Sequence, residues 1–111
     1  MIVRCRGEAT WRAERDPDSG RWVAVSDDLN LATEADTWKD LQVEIYEAMM
    51  LLFRDLLKHG ELEAFFMKRG WECDVVPENI RPEDVQFDVA APILPAWMIA
   101  NRSMAGSGAH C

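Results

Sequence analysis

Apolar and polar residues alternate from Ala9 to Glu14. Ala9, Trp11 and Ala13 fall on one side, and Thr10, Arg12 and Glu14 on the other. A period of two predicts a strand with one buried and one wet face. Residues 21–26, R-W-V-A-V-S, predict a second strand. Between them Asp16-Pro17-Asp18-Ser19-Gly20 is turn chemistry throughout, so the pair is expected to be an antiparallel hairpin with Trp11 and Trp22 facing each other across it. Asp27-Asp28-Leu29-Asn30 reads as a further turn, with Asn30 suited to the left-handed region. Leu31 to Ala35 predicts a short third strand.

The period then lengthens. Thr37 is placed to cap a helix running from Trp38 to His59, with Asp40 three residues on and Gly60 as its stop. At about 100° per residue this helix carries two apolar stripes. One holds Trp38, Leu41, Ile45, Ala48, Met49, Leu52 and Leu56. The other holds Val43, Tyr46, Met50, Phe53 and Leu57. Together they cover roughly 200°, twice the arc of an ordinary surface helix. One sheet cannot cover both, so the second stripe must meet another segment of this chain or another subunit. Val43, Tyr46, Met50, Phe53 and Leu57 are therefore expected either to self-associate or to pack as a second face against this chain, for which the C-terminal third could supply the cover.

Residues 61–69 predict a short second helix with Leu62, Phe65 and Phe66 inward, ended by Gly70. A short strand is expected within 71–76, a loop over 77–83, and a late strand over 85–94. Pro92 and Pro95 limit that strand to an edge or end it. Trp97 suits core packing, or an exposed anchor for a partner. Residues 101–111 are small and polar and predict a flexible tail after a single domain spanning 1–100. The fold class expected is α+β: an antiparallel sheet with one long helix packed on it and a short second helix.

Composition narrows the function classes. The 111 residues carry a net charge of −8. Phosphate binding needs clustered Lys and Arg, so direct nucleic-acid binding is not expected, whereas a basic partner would be steered toward the surface. No apolar run reaches the roughly 18 residues of a membrane span, and the start has no apolar leader, so a cytoplasmic protein without a membrane role is expected. Cys5, Cys73 and Cys111 show no metal or disulfide spacing, and Cys5 and Cys73 read as small apolar residues. No cofactor or metal is implied.

The many carboxylates raise the question of catalysis. A two-metal nuclease needs several acids converging on ions about 4 Å apart. Asp16 and Asp18 lie in the hairpin loop, while Asp27 and Asp28 lie at the other end of the second strand, roughly 20 Å away at strand rise. Asp27, Asp28, Glu34 and Asp36 are nearer one another, but turn and cap roles explain Asp28 and Asp36. His59, at a helix end, has no Ser or Cys placed to pair with it. A non-enzymatic protein is the expectation, with a degenerate metal-dependent nuclease as a lesser alternative.

The run W-x-A-x-x-D-P-D-S-G-x-W-V-A-x-S-D-D-L-x-L-x-T-E-A-D-T over residues 11–37, followed by W-x-D-L and a helix, resembles the HicB-like antitoxin superfamily. Within it, the similarity is to a small branch with the pattern S-D-D…L-x-T-E-A-D-T. Asn30 stands where that branch has glycine. The resemblance reaches from about Trp11 to Gly60. It implies a partial RNase H-like fold, dimers or larger oligomers, and neutralisation of a small basic mRNA-cleaving toxin. On that reading Asp27, Asp28, Glu34 and Asp36 are the candidate partner-binding residues. The C-terminal third has no helix-turn-helix or ribbon-helix-helix pattern, so the DNA-binding module of many such antitoxins is not expected. An orphan oligomeric interaction domain without a toxin is the alternative.

Overall fold

The computed structural model describes residues 2–95. The chain is α+β. Its elements are β1 (Val3–Glu8), β2 (Trp11–Arg15), β3 (Trp22–Ser26), β4 (Leu31–Ala35), α1 (Trp38–Lys58), α2 (Leu62–Lys68), β5 (Glu72–Cys73), a 3-10 turn (Pro82–Asp84), β6 (Val85–Ala90) and β7 (Ile93–Pro95). They form a three-stranded sheet, β5-β1-β6, and a four-stranded sheet, β4-β3-β2-β7. Trp97 and the 101–111 segment lie outside the described residues. No described helix is long and apolar enough to cross a membrane.

β2, β3 and β4 pair antiparallel, as the short turn chemistry of the hairpin predicts. The sheets are nevertheless mixed, because β1 pairs β6 and β2 pairs β7 in parallel. Both parallel pairings keep one register: Val3 opposes Val85, Glu8 opposes Ala90, and Trp11 opposes Ile93 at the same offset. Between them the Ala9 N–H donates to Ala90 O at 2.8 Å and the Trp11 N–H to Pro92 O at 2.9 Å. In a parallel ladder the alternating bond would run from the nitrogen of residue 92 to Ala9 O, and proline has no hydrogen there. The expected single late strand over 85–94 is thus one extended run that Pro92 splits, and the two sheets meet end to end at that gap, β1 running on into β2 and β6 into β7.

β1 is absent from the alternation that begins at Ala9. Its inward positions are Val3, Cys5 and Gly7, of which only the first carries a strong apolar signal. Gly7 is required by packing. A Cβ there would fall 2.4 Å from Cδ2 of Trp71, whose ring lies over β1.

The expected Trp11–Trp22 pair does not form. The β2–β3 loop closes with Asp16 N–H to Arg21 O at 2.8 Å, which sets Arg15 opposite Trp22 and leaves Trp11 at the far end of the hairpin. Trp22 meets Trp38 of α1 edge-on instead, with ring centroids 5.0 Å apart. Asn30 does take positive φ (55°) in the β3–β4 turn.

α1 is capped as expected: the Thr37 hydroxyl accepts from Asp40 N–H at 3.1 Å. Its buried residues are Leu41, Ile45, Met49 and Phe53. Each step of four residues advances roughly 40° around a helix of 3.6 residues per turn. The buried line therefore winds from the first stripe at the N-terminal end to the second at Phe53. Leu41, Ile45 and Met49 settle over β3 and β4, where the buried alanines Ala24 and Ala35 leave room for large side chains. Phe53 leaves that sheet and meets Phe87 of β6 (stacked, 5.1 Å) and Phe66 of α2 (edge-on, 5.3 Å). Two apolar stripes are needed because α1 serves two neighbours in turn.

Candidate functional site

The four carboxylates singled out in the sequence occupy two ends of the β3–β4 hairpin. Asp27 and Asp28 sit in its turn. Glu34 lies on β4 opposite Val23, and Asp36 follows β4. Along β3, Glu34 is four residues and Asp36 six residues from Asp27, or roughly 13 and 20 Å, so the four acids expected near one another do not form one cluster. All four acids are engaged within the chain. Asp27 pairs with Arg12 at 3.1 Å. Asp28 accepts the Thr10 N–H at 2.9 Å, while its carbonyl accepts from Arg69 Nε at 2.8 Å. Arg21 serves both remaining acids, with Nε 3.2 Å from Glu34 and Nη1 2.6 Å from Asp36. The side chains of Asp27 and Asp36 keep at least three-quarters of their exposure, so these pairs add little stability. Arg12 and Arg21 offset part of the negative field that the sequence suggests.

Asp16 is a turn-maker. Its carboxylate accepts the Asp18 N–H at 2.9 Å and the Ser19 hydroxyl at 3.1 Å. These bonds, the Asp18 N–H foremost, hold its pKa below the ordinary 3.8. His59 donates from Nδ1 to the Asp55 carbonyl at 2.8 Å, a helix-end contact. Among the described residues, no group of three or more His, Cys, Asp or Glu is placed to hold a metal ion.

The second stripe of α1 divides along its length. Phe53 is fully buried, and Met50 and Leu57 are packed against the core from its edge. Val43 and Tyr46 stay 51% and 60% exposed, and Leu51, from neither stripe, is 68% exposed. Glu44 and Glu47 are exposed among them. Tyr46, Met50 and Leu51 border a shallow groove of about 490 Å³ whose rim also carries Glu44, Glu47 and Arg54. On this surface exposed apolar side chains are interspersed with the carboxylates of Glu44 and Glu47 and the guanidinium of Arg54. Apolar stripes in the sequence marked Val43 and Tyr46, but which part of a stripe stays uncovered depends on where α2 and β6 dock. Leu51 carried no periodic signal.

A further pairing has no sequence signal at all. Cys5 of β1 and Cys73 of β5 are direct partners across an antiparallel ladder, with Sγ atoms 2.8 Å apart. Burial pushes both thiols above the ordinary pKa of 9.0, and the nearby carboxylates of Asp74 and Glu63 act in the same direction. A separation of 68 residues hides such a pair from any spacing rule.

No curated protein and no solved structure matches the chain. The stretch from β2 through α1 to the start of α2, which holds the hairpin carboxylates and the exposed helix face, is similar to a known family. Residues 9–63 match the family model described as Domain of unknown function (DUF1902).

Proposed function

We propose that this chain is a non-enzymatic, HicB-like antitoxin-type protein that binds and neutralises a small basic mRNA-cleaving toxin. The observation that carries the reading is the α1 face on which Val43, Tyr46 and Leu51 stand exposed among Glu44 and Glu47. Large apolar side chains left in water beside carboxylates suit a partner with an apolar contact ringed by Lys and Arg. The net charge of −8 would speed its approach. The resemblance of residues 11–37 to HicB-like antitoxins supplies the partner class. Asp27, Asp28, Glu34 and Asp36 are assigned to steering at the margin, because Arg12 and Arg21 already pair with three of them. Binding here would cover the basic surface with which such a toxin holds RNA.

The test is co-expression with the small basic product of a neighbouring gene. Growth arrest by that product, relief by this chain and co-purification of the two are expected. Tyr46→Arg and Leu51→Arg should abolish relief while leaving the circular dichroism melt unchanged. Absence of any toxic basic neighbour, or relief unaffected by both variants, overturns the reading.

The exposure of Val43 and Tyr46 also favours a second reading, an orphan domain that self-associates through α1. Sedimentation velocity separates the two. A strict monomer at micromolar concentration removes the second reading, and a dimer lost in Tyr46→Arg supports it.

A further inference from the structure

We propose that Cys5 and Cys73 form a reversible dithiol–disulfide site that staples β5 to β1. Three observations converge on it. The first is register: Cys5 opposes Cys73 and Arg6 opposes Glu72. The second is the kind of pair. One position along, the Asp74 N–H donates to Arg4 O at 3.0 Å, and the Arg4 N–H is taken by Asp74 Oδ2 at 3.0 Å. Residues 4 and 74 thus occupy the hydrogen-bonded position of the ladder, which makes 5 and 73 the narrow, non-bonded pair. Cα atoms of such a pair lie about 4.5 Å apart, within the roughly 4.4–6.8 Å that disulfides span. The third is the side chains themselves, which already point at each other with sulfurs 2.8 Å apart. Bond formation asks for less than about 1 Å of further approach.

The oxidant is a low-molecular-weight disulfide. Cys73 is partly exposed and Cys5 is buried, so exchange begins at Cys73. The Cys73 thiolate attacks one sulfur of the oxidant, the oxidant's S–S bond breaks, and one small thiol leaves with a proton. The Cys5 thiolate then attacks Sγ of Cys73 in the mixed disulfide, and the second small thiol leaves with the second proton. The two protein sulfurs lose two electrons in all, and the oxidant gains them as two thiols. Burial of both thiols keeps the thiolate fraction small, so the site oxidises slowly and resists casual alkylation.

The bond would close a loop across a separation of 68 residues that contains β2, β3, β4, α1 and α2. Loop closure on that scale restricts the unfolded chain, and the melting temperature should rise by roughly 10 °C or more.

The experiment uses the full chain carrying Cys111→Ser, which leaves two thiols. The protein is refolded from denaturant in oxidised glutathione, then alkylated under denaturing conditions and weighed intact. The expected product lacks two hydrogens, carries no alkyl group, melts higher than the reduced protein and reverts with dithiothreitol. Peptide mapping of the unsubstituted chain should find Cys5 joined to Cys73. Two alkylated thiols after refolding in excess oxidant, a glutathione adduct that never closes, or mapping of Cys5 or Cys73 to Cys111 overturns the proposal.

Discussion

Replacing Gly7 by alanine should weaken the fold through a single contact. The added Cβ would stand 2.4 Å from Trp71 Cδ2 and 2.7 Å from Cγ and Cε3. Carbon atoms rest at about 3.5–4.0 Å, so the ring must retreat by roughly 1 Å. It cannot swing away cheaply. The clash is at the root of the indole, and the ring is held edge-on by Phe66 at 5.2 Å and Phe65 at 6.4 Å. Overpacking of this kind costs about 1–3 kcal/mol. Relief of the glycine's backbone entropy returns about 0.5–1 kcal/mol. A forced shift this large puts the overpacking cost in the upper part of that range, so the net expectation is a loss of about 1–2.5 kcal/mol, read as a lower urea midpoint at unchanged slope by far-ultraviolet circular dichroism. The same substitution in a Trp71→Ala background should reverse sign and stabilise by about 0.5–1 kcal/mol, since only the entropy gain remains. A neutral or stabilising Gly7→Ala in the native background, or a double-mutant cycle without coupling, would refute the packing argument.

Phe53→Ala should cost about 3–5 kcal/mol in urea unfolding, independent of protein concentration, because Phe53 is buried against Phe66 and Phe87. Tyr46→Ala, from the same stripe but 60% exposed, should stay within about 0.5 kcal/mol. Thr37→Ala removes the cap on Asp40 N–H and should cost about 1 kcal/mol, recovered in large part by Thr37→Ser. Asp16 has a folded pKa below its ordinary 3.8, so its contribution is present above that value and is lost as pH falls through the lower folded pKa. The stability gap between native protein and Asp16→Asn should therefore be steady near neutrality and close on acidification below about pH 4; a gap unchanged at low pH would contradict the turn role.

Local rules were enough for the central segment. Alternation placed β2, β3 and β4, cap chemistry at Thr37 and Gly60 bounded α1, and Asn30 took the left-handed conformation its side chain tolerates. These features depend on residues within a few positions of one another, where steric and hydrogen-bonding preferences act directly. Strand rise made the parting of Asp16 and Asp18 from Asp27 and Asp28 legible for the same reason, although Asp27, Asp28, Glu34 and Asp36, expected nearer one another, also fall at two ends of a hairpin. Their arginine partners were not legible, because Arg12 meets Asp27, and Arg21 meets Asp36, only once the strands are registered. Trp11 and Trp22 show how one turn overrides a plausible pairing: the closing bond from Asp16 to Arg21 sets the register, and every cross-strand neighbour follows from it.

By itself the sequence determined the α+β class, the antiparallel hairpins, the length of α1 and its excess of apolar surface. Only the tertiary structure decided what that surface does. The buried line winds around α1, so Phe53 goes to the core while Val43 and Tyr46 remain in water, and no helical wheel says where a second neighbour will dock. The parallel pairings of β1 with β6 and β2 with β7, their interruption at Pro92, and the meeting of Cys5 with Cys73 all join residues far apart in the chain. Such contacts are chosen by the joint burial of several elements at once, which no short window of residues contains.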